Sequence, residues 1–186
     1  DGLFVGAIMP VIAMALATAA FGNEMEDRTL SYLVLKPVSR TLIALPKLLA
    51  TVAIGGPLVV ASGVVSTFLA SGDARAAAAV GAALFAGVIT YAAIFTWAGL
   101  VTRSALGFAL LYVFVWEGLI STFLGGVRYL SVRGYALAIM HGIDTESFEG
   151  FGERVIELPA AIGGAIIVTV AFFALTVFRL RRMDVP

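Results

Sequence analysis

Glu117 is the one charged side chain set well inside a long apolar run, in the stretch LLYVFVWEGLI from Leu110 to Ile120, directly after Trp116. A carboxylate surrounded by hydrocarbon is costly, so it is retained where it binds, conducts or holds helices together. Two roles are open to it. One is a pathway or dimer-interface residue that contacts polar cargo or carries a proton. The other is a packing acid bonded to a neighbouring Ser, Thr or Tyr, or reaching the membrane interface. The rest of the chain offers little reaction chemistry. It has no cysteine, which excludes disulfides, thiolate metal sites and a cysteine nucleophile together. Its one histidine, His141, has no second histidine or cysteine to join it at a metal and reads as an interfacial residue. Paired intramembrane carboxylates and a Ser-His arrangement are also missing, so an intramembrane enzyme has no residues to work with. Nor is there a Gly-x-x-x-x-Gly-Lys-Ser/Thr loop to cradle ATP phosphates.

The elements that must position Glu117 follow from composition. Of 186 residues, 61% are apolar and 13% charged, with a mean hydropathy of +1.04, whereas soluble chains are roughly half apolar and about a quarter charged. Twelve Lys and Arg cancel twelve Asp and Glu, so no basic excess points to nucleic acid. The expected fold is an all-α polytopic membrane protein. Crossing about 30 Å of hydrocarbon takes about 20 mainly apolar helical residues, and the gaps between charges place spans near 3–21, 48–71, 76–102, 104–125 and 158–178. The runs are continuous rather than alternating, which excludes barrel strands. Pro10 and Gly55-Gly56-Pro57 fall inside spans, where they imply kinks or a hinge. Rows such as Ala76-Ala77-Ala78-Ala79 and Gly81-Ala82-Ala83 favour close helix contact.

Positive charge sets the expected orientation. Arg28, Lys36, Arg40, Lys47, Arg103, Arg179, Arg181 and Arg182 make eight on one side, against Arg75, Arg128, Arg133 and Arg154, four on the other. The eight-charge side is expected to be cytoplasmic, with Pro186 inside and Asp1 outside. A chain opening on Asp-Gly outside, with no basic flank before its first apolar run, implies a further span ahead of it. The loop 126–157 is then extracytoplasmic. In it Val132, Tyr135, Ala136, Ile139 and Met140 follow helical amphipathic spacing, with Ser131 available as a cap. That predicts a short helix lying in the outer interface or dipping in as a re-entrant element. The acidic residues Asp144, Glu146, Glu149, Glu153 and Glu157 that follow read as a solvated loop.

The segment 23–47, NEMEDRTLSYLVLKPVSRTLIALPK, is the most informative. Asn23 with Glu26 three residues on makes a capping-box-like start. Leu30, Leu33 and Val34 share an apolar stripe, Lys36-Pro37 stops the helix, and Ser39 is placed to cap the next one. A short helix across the cytoplasmic face is expected, whether as a plain connector or as a docking element.

Glu24-x-Glu26-x-x-Thr29-Leu30, then Leu33, Pro37-Val38-Ser39-Arg40 and Lys47 resemble the cytoplasmic loop of the ABC transporter type-2 permease family. The order and the place between two spans are those of the family. Arg28 departs from the glycine usual there, and Arg181-Arg182-Met183-Asp184 resembles the family's closing pattern. The resemblance implies six spans in the full chain and a coupling helix that docks on a separate ATPase subunit, with Glu24, Glu26, Arg28, Thr29, Leu30 and Leu33 as its contacts. It further implies that ATP and Mg are bound by that partner, that this chain holds no cofactor, and that it pairs with a second permease copy or homologue. An export function follows from the same likeness, and the Ala/Gly/Val-rich, Arg-over-Lys composition points to a prokaryote and its plasma membrane. A membrane-embedded assembly or anchoring subunit without its own pathway is the alternative reading. No aromatic cage, basic cleft or metal cluster selects a cargo.

Overall fold

In a computed structural model the described residues are 39–102, 107, 110–120, 129–150 and 156–182, and no strand occurs among them. They form α1 (Thr41–Ser71), α2 (Ala74–Val101), α3 (Tyr112–Ile120), α4 (Val132–Ile143) and α5 (Leu158–Arg181). Three of these, α1, α2 and α5, are long and apolar enough to cross a membrane. The protein is therefore a helical membrane protein. The expected first span and the cytoplasmic helix lie outside the described residues. The expected fourth span is represented chiefly by α3, so five spans are not established by the described helices.

Sequence accounts for most helix boundaries. α1 begins at Thr41, as expected for a helix that starts after Ser39 and runs on into the second span, with Lys47 ahead of the apolar stretch from 48. The expected Ser39 side-chain cap is not formed. The Ser39 hydroxyl instead pairs with Thr41 Oγ1 at 3.1 Å, and its carbonyl accepts from Leu42 N at 2.9 Å. α1 stays one helix through Pro46 and Pro57, so Gly55-Gly56-Pro57 does not break it. Gly72 ends α1 in the left-handed conformation (φ 70°), its N–H returning to Phe68 O at 2.8 Å. Asp73 then caps α2 by accepting from Arg75 N at 2.8 Å.

This two-residue turn makes α1 and α2 an antiparallel hairpin with closely approaching backbones. A Cβ added at Gly63 would lie 2.1 Å from Leu84 Cδ1, and one at Gly81 would lie 2.8 Å from Val64 Cγ2. Small residues at both positions let the helices meet. α2 is the central helix, packing on α1, α4 and α5 and buried along most of its length. Thr90 and Thr169 bridge α2 and α5 at 3.3 Å, and Trp97 meets Phe172 edge-on at 5.4 Å. α1 and α5 turn Leu58, Leu69, Ile167 and Val170 outward, a surface suited to hydrocarbon rather than water. α5 carries Arg179 and Arg181 in its last turn, and Arg182 sits over the Phe178 ring at 4.2 Å.

Candidate functional site

α4 starts at Ser131, whose extended backbone frees Oγ to accept from Gly134 N at 2.9 Å. Its buried face is Val132, Tyr135, Ala136, Ala138, Ile139 and Met140. Three contacts orient it. Arg75 donates from Nε and Nη2 to Ile143 O at 3.2 and 3.1 Å, tying the end of α4 to the start of α2. A Cβ at Gly142 would lie 2.8 Å from Leu158 Cβ, at the start of α5. One turn and more before that, the Tyr135 ring lies over Gly164, where a Cβ would come within 2.6 Å of it. α4 therefore runs antiparallel to both α2 and α5. At 1.5 Å per residue it carries its N-terminus about 18 Å inward from the end marked by Arg75. The apolar face expected to lie in the interface or dip inward is packed against α2 and α5.

Glu117 waits at that inner end. It lies on α3, whose backbone is π-helical, so residues five apart share a face. The side chain is 1% exposed. Its Oε2 accepts from Ser131 Oγ at 2.5 Å and its Oε1 from Val132 N at 2.9 Å. The Arg133 backbone N–H also points to this carboxylate. Tyr112, five residues earlier, donates a long bond to Oε1 at 3.4 Å. The first N–H groups of a helix have no partner within it and carry the positive end of its dipole, so an acid is favoured there on both counts.

Aromatic rings wall the carboxylate. Tyr91 of α2, fully buried, directs its hydroxyl at the carboxylate but makes no hydrogen bond of ordinary geometry among the described residues. Tyr91 stacks on Phe95 (5.6 Å, 8°), Phe95 meets Tyr112 edge-on (5.9 Å, 86°), and Tyr112 stacks on Trp116 (6.5 Å, 19°). Trp116 Nε1 reaches Leu130 O at 3.4 Å. The Tyr135 hydroxyl donates to Tyr129 O beside the same turn. Arg133 contributes a positive charge near Tyr91.

At the opposite end of α4 the exposed side chains of Asp73, Arg75 and Ser147 surround a buried carboxylate, Asp144. Asp144 Oδ1 accepts from Ser147 N at 3.3 Å, and Ser147 Oγ reaches Asp73 Oδ2 at 3.5 Å. Hydrogen bonds from Ser147, helped by the charge of Arg75, hold the Asp144 carboxyl below its ordinary range. α4 is thus gripped at both ends by charges of the sign its dipole favours.

Of the residues singled out in the sequence, Glu117 and Ser131 are brought into direct contact. Glu24, Glu26, Arg28, Thr29, Leu30 and Leu33 lie outside the described residues. His141 is half-buried in the last turn of α4. No group of three or more metal-ligating side chains occurs among the described residues. Tyr91, Tyr112 and Arg75 were not foreseen; Arg75 carried a signal, a lone cation just after a Gly-Asp turn, while the two tyrosines looked like ordinary apolar filling. A groove lined by Phe85, Ile89, Ile139, Ile162, Ile166 and Val170 lies between α2, α4 and α5, away from Glu117, and offers no reactive group beyond Thr90 and Thr169. No family model, curated protein or solved structure matches the chain.

Proposed function

We propose that this chain is the permease subunit of an ATP-binding-cassette exporter, working as a pair of copies or with a homologous permease, with ATP hydrolysed by a separate subunit. The observation that carries the reading is the ordered segment from Glu24-x-Glu26 through Pro37-Val38-Ser39-Arg40 to Lys47. It leads into the first turns of a membrane-length helix, α1. Further support comes from the membrane-length helices around α2 and from a sequence without a phosphate-cradling loop. On this reading Glu24, Glu26 and Arg28 form charge pairs with the ATPase while Leu30 and Leu33 anchor the docked helix. Movement of the ATPase pair passes through that helix into α1. The membrane is the plasma membrane of a prokaryote, with the C-terminus on the cytoplasmic side.

The test is co-expression of the full chain with an ATPase encoded beside it, followed by purification in mild detergent. Co-purification and permease-dependent ATPase activity are expected. Replacing both Glu24 and Glu26 by Ala is expected to lower both by roughly tenfold, as loss of paired interface charges does. Failure of any such ATPase to co-purify would overturn the reading in favour of an anchoring subunit.

A further inference from the structure

Charge divides the described residues by membrane face. Thr90 pairs with Thr169 and Trp97 with Phe172 in the same chain order, so α5 runs parallel to α2. α1 runs antiparallel to α2 across their two-residue turn, which puts the start of α1 and the end of α5 at one face. Arg40, Lys47, Arg179, Arg181 and Arg182 stand there, and no acid joins them among the described residues. The opposite face carries Asp73, Asp144, Glu146, Glu149 and Glu157 against Arg75. Asp184, just beyond α5 in sequence, sets one acid against three arginines.

The end of α5 is shaped for a membrane interface. Arg179, Arg181 and Arg182 are all exposed, and at about 3.6 residues per turn they leave different sides of the helix. Phe178 faces outward, and the Arg182 guanidinium lies over its ring at 4.2 Å. That stacking seats one cation against apolar surface at the height where hydrocarbon gives way to headgroups. The planar donor fork of arginine fits phosphate oxygens two at a time. A favourable helix dipole also accounts for cations in a last turn, but it is indifferent to the lipid.

We propose that the end of α5, with Arg179, Arg181 and Arg182, is a docking surface for anionic phospholipid headgroups. Charge complementarity selects them. The surface is cationic, it closes a membrane-length helix, and headgroup phosphate is the anion met at that depth. Zwitterionic headgroups carry the same phosphate, but their own cation opposes the approach, so net-negative lipids are preferred. The surface stands whether or not the chain is an exporter.

The test uses the full chain reconstituted alone, in vesicles of phosphatidylcholine with increasing brominated phosphatidylglycerol. The readout is quenching of Trp97 in a Trp116→Phe background, compared with brominated phosphatidylcholine at equal mole fraction. Trp97 lies against Phe172, two turns before Arg179. Each basic residue near an anionic surface is worth about fivefold, so a preference for phosphatidylglycerol of at least about tenfold is expected at low salt. Replacing Arg179, Arg181 and Arg182 together by Gln is expected to cut that preference at least about fivefold. Replacing all three by Lys, which keeps the charge, should retain most of it. Equal affinity for the two lipids in the wild type, or a preference unchanged in the Gln variant, would overturn the proposal. Loss of the preference to millimolar soluble glycerol phosphate would overturn it too, by assigning the surface to a free anion. Should the triple Gln variant fail to reconstitute, Arg182→Gln alone decides, with a drop of about two- to fivefold expected and no drop overturning the proposal. No ATPase is present, so the result is independent of the exporter reading.

Discussion

Removing the Glu117 carboxylate in two ways separates what its hydrogen bonds do from what its charge does. Glu117→Ala deprives Ser131 Oγ and Val132 N of their acceptor in a place where both are buried. The Ser131 hydroxyl can rotate, but the Val132 N–H cannot. A buried donor left bare costs about 1–3 kcal/mol. With the void left by the deleted side chain, the expected loss is roughly 3–5 kcal/mol, the range found when one partner of a buried charged network is removed. Glu117→Gln keeps the shape. Its carbonyl oxygen can accept from Val132 N, and its NH2 can donate to Ser131 Oγ, which already accepts from Gly134 N and has a second lone pair. What is lost is the charge at the helix N-terminus, about 1 kcal/mol, offset by no longer burying an ion. Glu117→Gln is therefore expected to cost about 1 kcal/mol or less.

The site has its own reporter. Trp116 precedes Glu117 and stacks on Tyr112, so a Trp97→Phe background leaves one indole beside the carboxylate. Denaturation from mild detergent into SDS, followed by Trp116 fluorescence, gives the two losses on one scale. Equal losses for Gln and Ala, or a loss under about 1 kcal/mol for Ala, would refute the view that Glu117 holds α4 by hydrogen bonding. Transport, once a cargo is identified, supplies the complementary measurement. Full transport in Glu117→Gln removes the pathway role; lost transport with retained stability means the charge itself is used.

Two further outcomes follow from the packing and from the carboxylate at the C-terminal end of α4. Gly63→Ala brings a Cβ against Leu84 Cδ1, and is expected to destabilise by about 1–3 kcal/mol as overpacking does; the double variant with Leu84→Ala, itself costly because Leu84 is fully buried, should lose less than the sum of the two singles, and a loss greater than that sum would contradict the close contact. The Asp144 carboxyl is held below its ordinary range in the folded chain, so its stabilising contribution is present in full above the unfolded value, near pH 4, and is lost as pH falls through the folded value. Melting curves of the wild type and Asp144→Asn should accordingly stay apart down to about pH 4 and converge below it, and a gap that widens toward acid would refute the assignment.

The membrane-length helices were legible because hydropathy and charge gaps act over twenty residues at a time. The ends of α2 and α5 lie within a few residues of where the charges place them. α4 was legible too, since Val132, Tyr135, Ala136, Ile139 and Met140 follow one face and Ser131 has a cap's chemistry. Its depth was not. Amphipathic spacing reports which face is apolar, but whether that face meets lipid or other helices is decided by contacts such as Tyr135 over Gly164, 29 residues apart in sequence. The π-helical backbone of α3 was hidden for a similar reason. The run LLYVFVW is apolar on every side, so it carries no period that could distinguish 3.6 from 4.4 residues per turn. Ser39 shows the converse failure, a residue of the right type whose hydroxyl found Thr41 first.

Burying the start of α4 creates a requirement that Glu117 meets. With Ser131 as cap, the first intrahelical bond runs from Tyr135 N to Ser131 O at 3.0 Å, leaving the N–H groups of Val132, Arg133 and Gly134 without helical partners. At a protein surface water would take them; inside a bundle of membrane helices it cannot. Ser131 Oγ takes Gly134, and the two oxygens of one carboxylate are available to Val132, Arg133 and the Ser131 hydroxyl itself. A neutral amide could accept from the two N–H groups through its one oxygen but would have to donate to the Ser131 hydroxyl, so only a carboxylate accepts from all three. An acid inside a span and a serine fourteen residues later, just ahead of an amphipathic run, are therefore one structural unit rather than two separate features. The acid answers the demand created by turning a helix start toward the membrane interior.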